Sequence, residues 1–123
     1  MTIDANIVIA YLGGELSVIS TLTKWREEGR SLFLSTVAET EVLSFSEWTI
    51  EERHATEVFL EENFLSLSFN RVLARIAASI RSKVRIKFPD AAIAATALYT
   101  STPLVTRDVQ DFKRIAGLEI INI

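Results

Sequence analysis

The chain has 123 residues, 13 Lys/Arg against 16 Asp/Glu, one His and no Cys, which suits one domain over 1–123 with a real core. Its 49% hydrophobic content, with four Gly and two Pro, excludes disordered, collagen-like and linker classes. The missing Cys excludes disulfide frameworks, thiolate zinc sites and Cys nucleophiles, and the net charge of −3 excludes a uniformly basic nucleic-acid coat.

Taken in chain order, Thr2-Ile3 reads as a brief strand running into Asp4, followed by helical patterns over about 6–11 and 15–28. Leu32-Phe33-Leu34 is the second strand candidate. Helices over about 36–46 and 50–62 follow, and Thr36-x-x-Glu39 and Thr49-x-x-Glu52 each match the capping box, in which hydroxyl and carboxylate satisfy free backbone N–H groups. Phe64-Leu65-Ser66 is a third strand, and a helix over about 69–83 comes next. Phe88-Pro89-Asp90 opens a helix over about 89–100, with Pro89 where its missing N–H costs nothing. Ala91-Ala92-Ile93-Ala94-Ala95-Thr96-Ala97-Leu98 is apolar nearly all round, so this helix is expected to be central and buried. Leu104-Val105-Thr106 and Glu119-Ile120-Ile121 complete the strands. Short apolar strands separated by helices predict an α/β fold, a three-layer α/β/α domain around a parallel sheet of about five strands. No apolar run reaches the ~18 residues of a membrane span, Met1-Thr2-Ile3-Asp4 does not start like a signal peptide, and a cytoplasmic location is expected.

Four acids stand where chemistry is expected. Asp4 ends the first strand and Asp108 follows the fourth, and in parallel α/β sheets the ligand crevice lies at the carboxyl ends of strands. Each also reads as a cap or turn residue. Glu41 has Val37 and Phe45 four residues to either side and no cation at i±3 or i±4, which places a carboxylate near a buried stripe. Asp90 begins the alanine-rich helix, where the macrodipole alone favours an acid. Clustered, the four would repel one another, and hard divalent cations such as Mg²⁺ or Mn²⁺ resolve that repulsion. A carboxylate-held metal pair ~3.5–4 Å apart suits in-line displacement at phosphorus. Asn6 and Thr106 read equally as groups orienting that cluster or as local cap and turn bonds.

Charge is polarised along the chain. Residues 1–65 carry 4 Lys/Arg and 12 Asp/Glu, whereas residues 66–123 carry 9 and 4, with the bases concentrated from Arg71 to Lys87. An acidic average can therefore hide a local basic surface. No dinucleotide or P-loop glycine motif is present. His54 is the only histidine, which rules out a two-histidine ribonuclease mechanism, and its place in a polar helix beside Glu51, Glu52 and Glu57 marks it as a surface residue. Trp25 and Trp48 read as core or interface anchors.

The segments Ile3-Asp4-Ala5-Asn6-Ile7, Leu34-Ser35-Thr36-Val37-Ala38-Glu39-Thr40-Glu41, Phe88-Pro89-Asp90-Ala91-Ala92 and Thr106-Arg107-Asp108-Val109-Gln110-Asp111-Phe112 resemble the PIN domain, more narrowly the VapC-type toxins of toxin–antitoxin pairs. The resemblance spans essentially the whole chain, and Ala5 departs from the more usual Thr. It maps the family's four acids onto Asp4, Glu41, Asp90 and Asp108 and its supporting polar residues onto Asn6 and Thr106, with Asp111 as the alternative fourth acid. It implies Mg²⁺- or Mn²⁺-dependent RNA cleavage leaving a 5′-phosphate and a 3′-hydroxyl, a homodimer, and neutralisation by a VapB-type antitoxin. A PIN-like binding subunit that no longer cleaves, and a DNA-directed nuclease of the same superfamily, are the competing readings. Helices 50–62 and 69–83, with Phe59, Leu60 and Phe64, are the expected dimer and antitoxin surface.

Overall fold

The computed structural model describes residues 1–123. Five strands run β1 (Thr2–Ile3), β2 (Phe33–Ser35), β3 (Leu65–Leu67), β4 (Leu104–Val105) and β5 (Ile120–Ile121). The helices are α1 (Ala5–Leu12), α2 (Leu16–Glu27), α3 (Thr36–Leu43), α4 (Ile50–Asn63), α5 (Arg71–Lys83), α6 (Phe88–Thr100) and α7 (Val109–Phe112). The sheet order is β3-β2-β1-β4-β5 and every pairing is parallel. Thr2 pairs with both Phe33 and Leu104, so β1 is the central strand. With seven helices flanking this sheet, the fold is the expected three-layer α/β/α arrangement.

Topology decides where a ligand can sit. From β1 the chain builds outward through β2 to β3, then returns to add β4 on the other side of β1. The reversal leaves a crevice at the carboxyl ends of β1 and β4, the topological switch point of an open parallel sheet. Asp4 follows β1 and Thr106 follows β4, so both stand on that edge.

Burial follows the strand and helix patterning. Ile3, Ile7, Val8, Leu34, Ile93, Leu104, Val105 and Phe112 are among the 24 buried core residues, each contributing ~1.5–3 kcal/mol of transfer free energy. In α6 all seven residues Ala91–Ala97 are buried, because alanine side chains let the helix approach β1, β2, α3 and α5 closely. Three helices end in the same hydrogen-bonded turn. After α2 the Gly29 N–H donates to the Arg26 carbonyl and the Arg30 N–H to the Trp25 carbonyl, with Gly29 at φ +78°. Gly14 does the same after α1, while Ser101, a residue with a Cβ, takes the left-handed position after α6 at φ 53°.

Three sequence expectations are corrected. Thr49 and Glu52 form a complete capping box, but Thr36 and Glu39 do not, because α3 is capped one residue earlier by the Ser35 hydroxyl. The Thr36 hydroxyl instead accepts from the Phe69 N–H at 3.1 Å, tying α3 to the segment before α5. α3 stops at Leu43, short of the expected residue 46, and the chain turns out at Phe45–Trp48. The apolar surface expected on α4 is absorbed by the core: Leu60 and Phe64 are buried, and Phe59 packs against Tyr11 and Phe64. His54 is exposed, as expected. No single helix is long and apolar enough to cross a membrane.

Candidate metal centre

Asp4 is 4% exposed at the mouth of the crevice. Its Oδ1 accepts from the Ala5 N–H at 2.7 Å, capping α1, and its Oδ2 accepts from the Thr106 hydroxyl at 2.7 Å. The capping and chemical readings of Asp4 are thus compatible, because one oxygen serves each. Burial raises the Asp4 pKa, the two hydrogen bonds pull it back, and the charges of Asp108 and Asp111 push it further up.

Thr106 is fully buried and links both sides of the crevice. Besides donating to Asp4, its oxygen accepts from the Asp108 N–H at 3.0 Å and from the Asn6 amide at 3.3 Å. The same Asn6 amide donates to Asp108 Oδ2 at 3.1 Å, while Asn6 Oδ1 accepts from the Arg107 N–H at 3.4 Å. Asn6 and Thr106 therefore bond across the sheet rather than in local turns alone. Asp108 precedes α7 but does not cap it; its carboxylate is held by Asn6 from α1.

Asp90 lies in the first turn of α6 and is half-buried. Its pKa is pushed up to about 6, first by burial and then by the charges of Asp4, Asp111 and Asp108, against the opposing Lys87. Glu41 sits at the exposed rim of the site rather than in the buried stripe expected for it. The helix ends at Leu43 and Phe45 beyond it is 52% exposed, so Glu41 stays open to solvent at this rim. The Glu41 carboxyl still senses the site: partial desolvation raises its pKa, and the charges of Asp4 and Asp90 add to the rise.

Five carboxylates, from the end of β1, α3, α6, the β4–α7 segment and α7, thus share one field, Asp111 among them. All the donors are oxygens, the set preferred by hard divalent cations. Within the chain, no three acidic or histidine side chains meet at a spacing that would itself hold a metal. The all-oxygen donor chemistry of the group, rather than its spacing, is what fits Mg²⁺ or Mn²⁺. Beside Asp90 and Asp111 opens a hollow of about 440 Å³ bordered by Arg81, Arg85, Lys87 and Arg114. On the other side Glu41 borders a hollow of about 470 Å³ with Ile9, Leu12, Val42, Phe45 and Trp48.

A family model of the PIN domain matches residues 1–118. The chain belongs to the PIN domain family. Ribonuclease VapC1 of Rickettsia felis is 29% identical over 133 residues, covering 100% of this chain and 96% of that protein. A toxin–antitoxin complex from Klebsiella pneumoniae contains a chain 25% identical, with a TM-score of 0.81 over 98% of this chain and 94% of that one. VapBC2 from Rickettsia felis, bound to a fragment of its promoter DNA, has a TM-score of 0.86 at 21% identity, over 99% and 97% of the two chains, and shares the fold.

Within this PIN domain the basic border of the acidic site was only half legible in the sequence. The run from Arg81 to Lys87 is visible as composition, but nothing local to it points at Asp90 or Asp111. Arg114 joins them only because the segment after α7 folds back, where its guanidinium donates to the Arg85 carbonyl at 3.2 Å. The Arg107–Glu15 ion pair, between the β4–α7 segment and the α1–α2 turn, was likewise invisible.

Proposed function

We propose that this PIN domain, acting as one unit over 1–123, is a divalent-metal-dependent endoribonuclease and the toxin of a VapBC-type pair. The observation that carries this reading is the grouping of Asp4, Glu41, Asp90, Asp108 and Asp111 at the switch point, where burial first, and then the charges of neighbouring acids in the group, raise the carboxyls of Asp4, Glu41 and Asp90. Such a cluster is costly unless a cation neutralises it. Asp4, Glu41, Asp90 and Asp108 would hold Mg²⁺ or Mn²⁺, with Asp111 at the same border. When bound, the cation supplies Lewis acidity at the scissile phosphate and lowers the pKa of water.

The chain's own residues supply the rest. Thr106 and the Ala5 N–H fix the two Asp4 oxygens in direction, and Asn6 holds Asp108, so two carboxylates from different elements keep one orientation. Cations beside Asp90 attract a polyanion whose cleavage leaves a 5′-phosphate and a 3′-hydroxyl. The relatives' names, a ribonuclease VapC1 and VapBC toxin–antitoxin complexes, support an RNA substrate and a VapB-type antitoxin as partner; a homodimer working in the cytoplasm completes the proposal. The apolar hollow beside Glu41 offers such an antitoxin a seat next to the acids.

Purified, antitoxin-free protein is expected to cut RNA, but not the matching DNA strand, with Mg²⁺ or Mn²⁺, and to stop in chelator. Asp4→Asn and Asp90→Asn are each expected to lower kcat by 10²-fold or more. Full activity in either variant would refute the mechanism, and absence of Mn²⁺ binding at millimolar metal would favour a non-cleaving PIN subunit.

A further inference from the structure

The acids are bordered asymmetrically. On the Asp90 and Asp111 side stand Arg81, Arg85, Lys87 and Arg114, all exposed, and none is in an ion pair within the chain. On the Glu41 side the border is apolar, and the nearest cation around that turn, Arg53, is paired with Glu57 at 3.8 Å. Arg114 also borders an adjoining hollow of about 500 Å³ rimmed by Arg75 and Lys83 of α5. A line of uncommitted cations therefore leads away from the acids along one side only.

We infer that the RNA strand leaves the cleavage site over the Arg81, Arg85 and Arg114 groove, which binds the phosphates flanking the scissile one on that side. This rests on the ribonuclease reading and adds the direction in which substrate lies. Charge complementarity selects a polyanion. Phosphates are drawn to one side of the acids, because cations free of ion pairs border them on one side only, Arg53 and Arg107 being paired with Glu57 and Glu15. Arg81 donates to the Ile86 carbonyl at 3.3 Å and Arg114 to the Arg85 carbonyl at 3.2 Å, which fixes both guanidinium stems while leaving further N–H groups free. The Arg85 side chain bonds to nothing within the chain and is the adaptable member. All three are positioning residues.

The test is fluorescence anisotropy of a labelled single-stranded RNA, in chelator, over a series of salt concentrations. It compares the parent with Arg81→Gln/Arg85→Gln/Arg114→Gln, and with a control that removes Lys24 of α2 and Arg30 of the turn after it. Each lost phosphate contact lowers the slope of log K against log salt by ~0.7 on a single strand, so the triple variant is expected to lose ~2 and the control nothing. Arg85→Gln alone, which breaks no internal bond, is expected to lose ~0.7 should the triple variant fold poorly. With metal, KM is expected to rise about tenfold while kcat stays within about threefold. An unchanged slope and KM in a protein that cleaves RNA would overturn this inference alone. A parent that neither binds nor cleaves RNA would overturn it together with the ribonuclease reading. Loss of poly-glutamate binding with RNA binding intact would make the groove a protein-docking surface and overturn it as well.

Discussion

At the residue scale, Asp90, one of the proposed ligands, carries a cost in stability. Its carboxyl titrates at about 6 in the folded chain against 3.8 ordinarily, so between those values the folded protein keeps a proton that the unfolded chain has released. Stability from this group is present at low pH and is lost as pH rises through about 6. In metal-free protein, Asp90→Asn is expected to melt higher than the parent at pH 7.5 and to flatten the decline between pH 4 and 6, while abolishing activity. Thermal unfolding in chelator at several pH values measures this, and a lower melting point at pH 7.5 would show that holding the charged Asp90 carboxyl half-buried beside other acids is not a net cost. Thr106→Val makes the opposite case. It removes the hydroxyl that serves Asp4, Asn6 and Asp108, leaving buried Asp4 one partner short. A loss of ~1–3 kcal/mol is expected by chemical denaturation, together with weaker Mn²⁺ binding by calorimetry.

At the element scale, two similar sequence signals end differently. Thr49 and Glu52 cap α4 reciprocally, with both bonds at 3.0 Å. Thr36 and Glu39 have the same spacing, yet Ser35 stands at the end of β2 with extended backbone and takes the cap first. Thr49→Ala is therefore expected to cost ~1 kcal/mol, whereas Glu39→Ala is expected to cost under ~0.5 kcal/mol. Paired denaturation curves decide, and equal losses would mean that a second box forms in solution. The pattern of alternating strands and helices was legible because hydrophobic period and caps are local properties. The length of α3 was not, since the Ser44 hydroxyl just past its end donates back to the Thr40 carbonyl and no Gly or Pro marks the stop.

At the scale of the whole molecule, a net charge of −3 conceals two regions of opposite sign that meet at one crevice. Four of the 16 acids, those proposed as ligands, account for the negative sign; without them 12 acids face 13 bases. Metal binding is then expected to act on the entire fold. Saturating Mn²⁺ should raise the melting temperature, by the equivalent of ~2.7 kcal/mol at one hundred times Kd, and chelator should reverse it. The rise should shrink in Asp90→Asn. An identical shift in that variant would place the bound ion elsewhere.

By itself, the sequence determined the order of elements and the parallel α/β class, and singled out Asp4, Glu41, Asp90 and Asp108 as candidates. Those properties rest on hydrophobic period, cap chemistry and motif spacing, all of which act within a few residues. Only the tertiary structure decided which groups share a field. Thr106 reaches Asp4 across 102 positions of chain, Arg114 meets the Arg85 carbonyl across 29, and Phe59, Leu60 and Phe64 turn inward. Such contacts depend on β4 returning to the far side of β1, a reversal set by packing the whole sheet between its helices. No single stretch of the chain contains that information, because charge and burial act through space.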